Sequence, residues 1–279
     1  MSVREPPRRP EPETPYAQWV RDVAPAAVDA SGPTDLDTLE LKPWPQRGGF
    51  GAFVLPAALP VAGDCSVCEI PPAASLLPQR HPFEEIVLVL AGRGSTALRD
   101  DRGVMSSFEW TAWTLFAIPR NTPCRHFNGS GKQSARLVSV TTAPGVLNGR
   151  NDPTPAAAAT SDVDHACLLA ALDCPLLAIP EHGAGGHLRS RLGTRGLSVF
   201  ISQLPPATCG KAQVCGPDTY TIVLEGRGYS LVWPKDGQRI RWDWRQGTLL
   251  SVPNAWSCQH FNPETSPARL VTLAPESSA

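Results

Sequence analysis

One stretch of 50 residues occurs twice in this chain, and the duplication constrains the fold more than any other feature. The segment from Gln79 to Asn128 recurs from Gln213 to Asn262, at a fixed offset of 134 residues. Over the 44 positions that begin at Glu85, 14 residues are identical without a gap, whereas unrelated stretches would share about 3. We therefore predict two copies of one domain.

The repeated stretch predicts β-strands. Its first apolar run is EIVLVLAG, and the second copy has TIVLEG at the same place, as expected of strands that are buried on both faces. The chain also contains 30 prolines and 23 glycines, which disfavour long helices and favour short strands joined by tight turns. The fold class that follows is all-β, with few short helices.

The chain divides into four predicted segments. Residues 1–48 form a tail with a short helix, 49–145 the first copy, 146–190 a linker with one helix, and 191–279 the second copy. Thr14 and Pro15 are typical of a helix N-cap and first turn, so YAQWVRDV is predicted to be a helix that docks through Trp19 and Val20. In the linker, DVDHACLLAALD has the apolar spacing of an amphipathic helix that carries His165 and Cys167.

Composition narrows the class of ligand. The formal charge is −1, with 25 basic and 26 acidic residues, so no global field favours nucleic acid or an anionic membrane. No apolar run reaches the roughly 20 residues that span a bilayer, and the N-terminus lacks the apolar segment of a secretory signal. We expect a small-molecule ligand or a protein partner, and a cytoplasmic location. The eight cysteines are expected to be reduced thiols or metal ligands rather than a disulfide framework.

Several other residues allow both a structural and a functional interpretation. Cys65 and Cys68 form a CxxC pair, and alternation along a strand predicts that one thiol is buried and the other exposed. A packed cysteine is favoured there over a redox or zinc site. Arg93 and Arg227 follow the same glycine in each copy, which favours a structural role. Packing is also favoured over a stacking platform for five tryptophans, namely Trp110, Trp113, Trp242, Trp244 and Trp256.

Two spacings in the first copy resemble the signature motifs of the cupin superfamily. His81, three residues, Glu85, six residues and Gly92 match the first motif, and Pro119, four residues, Cys124, three residues and Asn128 match the second. The duplication makes the chain similar to a bicupin, over about residues 50 to 145 and 195 to 275. Phrases such as RHPFEEIVLVLAGRG and GRGYSLVWPKDG also resemble bicupins related distantly to gentisate-type ring-cleaving dioxygenases. This resemblance implies two jelly-roll barrels of antiparallel strands, each able to hold a divalent metal, and a homodimer.

The resemblance implies a metal site in the first copy with unusual ligands. Because side chains alternate along a strand, Gln79 and His81 share one face, and Cys124 and His126 share another. Gln79 and Cys124 stand where cupins usually have histidines, while His81 and Glu85 are retained and His126 adds a nitrogen. We predict His81, Glu85, Cys124 and His126 as metal ligands, with Gln79 as a weak fifth. The cofactor would be one divalent transition metal, namely Fe, Zn, Cu or Ni, and the thiolate favours Zn or Cu(I).

The second copy retains less of the motif. Gln213, Cys215, Thr219 and Cys258 occupy its four ligand positions, and His260 occupies the extra position. The two thiols and the imidazole could hold Zn(II) or Cu(I), but a barrel that binds no metal is the favoured interpretation.

Two functional hypotheses follow. In the first, the chain is a metal-dependent small-molecule enzyme whose reaction in the N-terminal barrel is oxygenase-like or, alternatively, Lewis-acid isomerase or lyase chemistry. In the second, both sites have degenerated and the barrels bind a small molecule or a metal without catalysis. The fold alone cannot distinguish them, because cupin barrels host many unrelated reactions.

Overall fold

The computed structural model describes residues 13–56, 60, 62–100, 102–149, 168–178, 185–192 and 194–276. Short strands dominate these ranges, together with two short helices, so the fold is all-β as predicted. The elements up to the linker are α1 (Pro15–Val23), β1 (Ala27–Asp29), β2 (Thr34–Asp35), β3 (Lys42–Trp44), β4 (Gly49–Leu55), β5 (Asp64–Ile70), β6 (Glu85–Ala91), β7 (Arg93–Arg99), β8 (Met105–Thr111), β9 (Thr114–Ile118), β10 (Cys124–Asn128), β11 (Ala135–Thr141) and α2 (Ala143–Leu147). Those that follow are β12 (Leu168–Ala170), β13 (Leu177–Ala178), β14 (Gly186–Ser190), β15 (Leu197–Leu204), β16 (Thr208–Cys209), β17 (Gln213–Val214), β18 (Tyr220–Glu225), β19 (Arg227–Trp233), β20 (Ile240–Arg245), β21 (Thr248–Ser251), β22 (Ser257–Asn262) and β23 (Ala268–Pro275).

Each copy of the repeat forms a barrel made of a large sheet and a small sheet. In the first barrel, the large sheet has the order β1-β4-β5-β11-β6-β9-β12, with β3 on β4, and the small sheet has the order β10-β7-β8. In the second barrel, the large sheet is β13-β14-β15-β23-β18-β21-β2, and the small sheet is β16-β22-β19-β20 with β17 on β22. The equivalent strands β6 and β18 lie at corresponding places in the two large sheets.

Two short strands link the barrels through their hydrogen bonds. Strand β2, from the N-terminal segment, pairs with β21 of the second barrel. Strand β12, from the linker, pairs with β9 of the first barrel, where Leu169 lies opposite Leu115. Each large sheet is therefore extended by a strand that lies, in sequence, outside the repeated stretch it joins.

Buried apolar residues form three clusters. One lies between the two large sheets and includes Cys65 and Ile86 from the first barrel and Ile222 from the second. The other two fill the interiors of the first and second barrels. Both faces of each large sheet are thus buried, which explains the continuous apolar runs of β6 and β18.

This arrangement corrects the prediction for the CxxC pair. Cys65 and Cys68 point to opposite faces of β5, as alternation requires, but both are buried, at 0 % and 2 % exposure. Cys65 lies in the cluster between the barrels, and Cys68 lies inside the first barrel. The prediction that one thiol is exposed was wrong because no face of this sheet meets solvent there.

The N-terminal helix is confirmed. Helix α1 begins at Pro15, and the Thr14 side chain accepts a hydrogen bond from the backbone N–H of Ala17. Trp19 makes edge contacts with Phe53 and Phe83 of the first barrel, and Val20 is buried. The helix therefore packs on the first barrel through the residues that the sequence indicated.

The predicted linker helix is not observed where the structure describes the chain. Residues 168–170 form β12 at the edge of the first barrel, followed by a turn at residues 171–173. The remainder of the predicted helix, including His165 and Cys167, lies outside the described residues. The apolar run Leu168–Ala170 is too short to distinguish the pattern of a helix from that of a strand, and its pairing with β9 makes it a strand.

The turns of the two copies use the same backbone geometry. Gly92 and Gly226 have φ values of 92° and 86° at equivalent hairpins. Asn128 and Asn262 each donate through the side-chain amide to three backbone carbonyls. Trp113 has a φ of 65° where the second copy has Gly247 at 81°, which confirms that a bulky residue occupies a glycine-type turn at this position.

Candidate functional site

The retained pair His81 and Glu85 forms a close contact inside the first barrel. His81 Nε2 lies 3.0 Å from Glu85 Oε2, and both side chains are buried. His81 Nδ1 lies 2.7 Å from the carbonyl oxygen of Phe83, which orients the ring. The HPFE turn therefore brings an imidazole and a carboxylate together, as the motif spacing predicted.

A charged group beside this pair, Arg47, was not predicted from the sequence. The Arg47 guanidinium, on a side chain only 13 % exposed, lies 3.8 Å from Glu85 Oε1 and packs over the Trp44 ring. Burial acts to raise the pKa of Glu85, but the hydrogen bond with His81 and the charge of Arg47 outweigh it, so this pKa falls well below its usual range. Glu85 is therefore an anion in a mostly apolar interior.

His126 is held by a chain of hydrogen bonds across three strands. Its Nδ1 lies 2.8 Å from Thr96 Oγ1, and the same hydroxyl accepts a hydrogen bond from Trp110 Nε1 at 2.9 Å. Burial lowers the pKa of His126 to about 4, so the ring is neutral at neutral pH. The sequence contains a signal for this series of hydrogen bonds that was missed, because a hydroxyl residue and a tryptophan recur at Ser230 and Trp244 in the second copy.

Cys124 and Gln79 lie at the edge of this group. Cys124 is buried inside the first barrel, and burial raises the pKa of its thiol to about 12. Gln79 pairs with Cys124 across the strands, but its amide nitrogen donates to the backbone carbonyls of Gln46, Leu77 and Pro78. The Gln79 amide nitrogen is thus bonded to the backbone of neighbouring loops.

Only part of the predicted ligand set is arranged to bind a divalent metal. Two ligand atoms bound at right angles at about 2.1 Å from a metal are about 3.0 Å apart, which is the separation of His81 Nε2 and Glu85 Oε2. Glu85 Oε1 is buried without a hydrogen bond, and the Nδ1 anchor of each histidine is typical of metal ligands. Within the described ranges, however, no three His, Cys, Asp or Glu residues are gathered closely enough to hold a metal. The structure thus brings His81 and Glu85 together but leaves Cys124 and His126 outside ligand distance.

The second barrel has the same series of hydrogen bonds from a tryptophan through a hydroxyl to a histidine, but here the histidine lies beside a cysteine. Trp244 Nε1 donates to Ser230 Oγ at 2.9 Å, and Ser230 Oγ lies 2.7 Å from His260 Nδ1. His260 Nε2 lies 3.9 Å from Cys258 Sγ. Thr219, which replaces Glu85, bonds to the carbonyl of Gly216 at its own turn.

The three predicted residues Gln213, Cys215 and Cys258 of this barrel are also brought together. Gln213 lies opposite Cys258 where β17 pairs with β22, and the backbone N–H of Cys215 donates to the carbonyl of Trp256. Hydrogen bonding by Cys215, helped by His260, lowers the pKa of Cys258 to about 5 against the effect of burial. This site contains sulfur and nitrogen but no carboxylate.

A separate groove lies beside the small sheet of the second barrel, with a volume of about 450 Å³. Its arginines are each paired with an acidic residue, in the pairs Arg227 with Glu264, Arg241 with Asp243 and Arg245 with Asp35. The structural role predicted for Arg227 stays a prediction, because its ion pair with Glu264 lies on the surface. Since the charges are matched within the groove, it offers little net charge to a ligand.

Solved structures with the same architecture identify the fold. The chain superimposes on structures of Bacillus subtilis oxalate decarboxylase with a TM-score of 0.64 at 12 % identity, covering 90 % of this chain and 79 % of that one. A variant of that enzyme with residues 162 and 163 deleted gives a TM-score of 0.62 over 90 % and 80 % of the two chains. The chain has a bicupin fold. Neither the protein-family profiles nor the curated protein sequences give a match.

Two further predictions concern the identity of the metal and the absence of a membrane span. One of the similar structures is described by the Mn(II) centres of the oxalate decarboxylase, a metal that the predicted set of Fe, Zn, Cu and Ni omits. Neither described helix is long and apolar enough to cross a membrane.

Proposed function

We propose that this chain is a metal-dependent small-molecule enzyme of the bicupin type, with its reaction site in the N-terminal barrel. The observation that supports it best is the pair His81 and Glu85, which lie 3.0 Å apart with one carboxylate oxygen buried and without a hydrogen bond. A buried carboxylate oxygen is costly unless a cation or donor satisfies it. The similar Mn(II)-containing structures add Mn to the candidate metals.

The metal would be held by His81 and Glu85, and the predicted ligands His126 and Cys124, which are not gathered with that pair in this structure, would have to move toward the ion to complete its ligand set. When bound, such an ion supplies Lewis acidity toward an oxygen atom of the substrate. The Phe83 carbonyl and the Thr96 hydroxyl fix the two imidazole rings. The apolar residues of the barrel interior, including Phe116 and Ile118, exclude water from the site. Gln79 would hydrogen-bond a substrate through its side-chain amide oxygen, because its amide nitrogen is already bonded to backbone carbonyls.

The reaction class is the finer part of the proposal. The sequence favoured an oxygenase-like reaction, with a lyase or isomerase as the alternative. The likeness to a decarboxylase supports the lyase alternative, which needs no oxygen. The two are distinguished by whether turnover of a small oxygen-bearing substrate by the metal-loaded protein consumes dioxygen. The homodimer, the cytoplasmic location and the relation to gentisate-type dioxygenases stay predictions.

Metal binding by the full chain tests the proposal. We expect about one equivalent of Mn, Fe, Zn, Cu or Ni after equilibrium dialysis, measured by elemental analysis. His81→Ala and Glu85→Ala should lose this metal while remaining folded, as checked by circular dichroism. Thr219→Ala is the matched control, because Thr219 occupies the position of Glu85 in the second copy. Metal retained at one equivalent by a folded Glu85→Ala protein would contradict the assignment.

A second candidate function has one specific observation in its favour. Arg47 already provides a positive charge 3.8 Å from Glu85, so the barrel could bind a small molecule without a metal. In that case the chain is a non-catalytic binding protein with an arginine where a metal would lie. Absence of metal from the wild-type protein after dialysis against each of the five ions would favour this candidate.

A further inference from the structure

The second barrel contains a pair of cysteines that the proposed function does not use. Both Cys215 and Cys258 are buried in the apolar cluster inside this barrel, and the pKa of each thiol is shifted by the other. They lie on adjacent strands, because Gln213 of β17 is opposite Cys258 of β22 and the N–H of Cys215 donates to the carbonyl of Trp256. The register makes Cys215 and Cys258 diagonal neighbours on one face of this strand pair, where Cα atoms are about 7–8 Å apart, so a disulfide between them requires a modest backbone movement.

One of these thiols has the surroundings of a nucleophile. Trp244 Nε1 can only donate, so Ser230 Oγ accepts from it and its own hydrogen is free to bond to His260 Nδ1. That arrangement places the ring proton of His260 on Nε2, which faces Cys258 Sγ at 3.9 Å. Cys258 thus receives donors from His260 and from Cys215, and its lowered pKa agrees with this geometry.

The pair lies where the barrel is thin. Strand β17 is only two residues long and pairs with β22 alone. Its residues Gln213 and Val214 are exposed, and Cys215 directly after it retains 8 % exposure. Short edge segments with few buried neighbours open at low free-energy cost, which would admit a small oxidant.

The first barrel provides a natural contrast. His81 occupies the position equivalent to Cys215, and the charged groups that act on Cys124 are Glu85 and Arg47. The motif cysteine therefore has a second cysteine as its diagonal neighbour in the second barrel and a histidine at that position in the first.

We propose that Cys215 and Cys258 are an oxidation-sensitive pair that hydrogen peroxide converts to a disulfide. The Cys258 thiolate attacks the peroxide, so that an S–O bond forms, the O–O bond breaks and hydroxide leaves to take up a proton as water. The Cys215 sulfur then attacks the resulting sulfenic acid, the S–S bond forms and the S–O bond breaks, releasing a second water. The two thiols lose two electrons in total, and these reduce the peroxide.

Peptide mapping of the full-length protein tests this assignment. Cleavage after Lys and Arg places Cys215 in peptide 212–227 and Cys258 in peptide 246–269, each with no other cysteine. After treatment of the reduced protein with one equivalent of peroxide and alkylation, we expect a disulfide-linked 212–227/246–269 species that reducing agent separates. Cys124, in peptide 121–125, should be oxidised more slowly, by a factor of about ten or more.

Two variants separate the roles of the sulfurs. In Cys215→Ser, the sulfenic acid on Cys258 should persist long enough to be trapped by a cyclic 1,3-diketone, because its resolving thiol is gone. In His260→Asn, the rate of Cys258 oxidation should fall about tenfold while the melting temperature shows that the barrel is folded. The exposed Cys209 is an internal control, since it should react equally in all variants.

The proposal fails if peroxide leaves Cys215 and Cys258 fully alkylatable while Cys209 is oxidised. It also fails if the linked peptide forms at the same rate in protein unfolded by urea, because the native geometry would then contribute nothing. Neither result depends on whether the first barrel binds a metal.

Discussion

The two barrels have the same frame and different interiors. Both copies retain the chain of hydrogen bonds from tryptophan through a hydroxyl to histidine, in Trp110–Thr96–His126 and Trp244–Ser230–His260. At the motif positions, the first barrel has His81 and Glu85, joined by Arg47, whereas the second has Cys215 and Thr219. The groups that could bind a ligand have therefore changed independently of the groups that form the fold.

The retained positions are those where the backbone leaves little freedom. A Cβ atom added to Gly94 would lie 2.0 Å from the carbonyl oxygen of Phe127, and one added to Gly228 would lie 2.2 Å from that of Phe261. Changes there would separate the strands of the small sheet. The polar positions inside the barrels have no such steric restriction. We therefore predict that equivalent substitutions change the stability of the two barrels by different amounts, depending on whether a charged side chain is removed.

The largest difference in stability should follow removal of Glu85. In metal-free protein, Glu85→Ala leaves the largely buried Arg47 without its counter-charge and His81 Nε2 without its hydrogen-bond partner. Breaking such a buried pair costs about 3–5 kcal/mol. Thr219→Ala, at the equivalent position, should cost less than about 0.5 kcal/mol, because its hydroxyl bonds only to Gly216 in its own turn. The free energy of unfolding in urea measures both. Equal losses would show that the charge of Glu85 does not distinguish the barrels.

A smaller difference should appear in the dependence of stability on pH. Asp64 is buried and accepts hydrogen bonds from Tyr16 and Thr141, and burial raises its pKa from 3.8 to about 6. At this group, the folded state therefore binds more protons between these values than the unfolded state, so the contribution of Asp64 to stability falls as pH rises from about 4 to 6. The change from 3.8 to about 6 corresponds to about 3 kcal/mol.

Asp64→Asn removes this dependence and keeps hydrogen-bonding groups beside Tyr16 and Thr141. The stability of the variant relative to wild type should increase as pH rises from 4 to 7, as measured by urea unfolding at each pH. The second barrel has Ser198 at the equivalent position, so Ser198→Ala should show no such trend. A constant difference between Asp64→Asn and wild type would contradict the raised pKa.

The smallest effect concerns the turn that differs between the copies. Gly247 has a φ of 81°, and a Cβ there would lie 2.4 Å from Asp37 Oδ2. We expect Gly247→Ala to cost about 1–2 kcal/mol, seen as a lower melting temperature. Gly131→Ala is the control, because no atom lies within 4 Å of its added Cβ. If the two variants melt together, the second barrel tolerates a side chain in this turn as the first tolerates Trp113.

The sequence predicted most of the fold because the repeat and the apolar periodicity are local signals. The duplication gave two barrels, the EIVLVLAG run gave β6, and Thr14 with Pro15 gave the start of α1. Prediction from the sequence failed where pairing between distant strands decides the structure. Residues 168–170 became strand β12 because β9 offered an unpaired edge, and both cysteines of the CxxC pair are buried because a second barrel covers the outer face of β5.

The site was predicted less completely. The motif spacing located His81 and Glu85, whose contact depends on one short turn. Arg47 comes from the turn between β3 and β4, more than thirty residues earlier, and no spacing in the sequence connects it with Glu85. The contact between Cys215 and Cys258 likewise depends on pairing between strands that are distant in sequence. Burial and neighbouring charges set thiol reactivity, and neither can be read from the residues alone.

The most direct test of the difference between the barrels is anomalous diffraction from crystals soaked in Mn(II), with data collected near the Mn absorption edge. We predict one peak per chain, in the N-terminal barrel, bonded to His81 and Glu85 and with Arg47 moved away from the carboxylate. A peak between Cys215 and Cys258, or equal peaks in both barrels, would contradict the account.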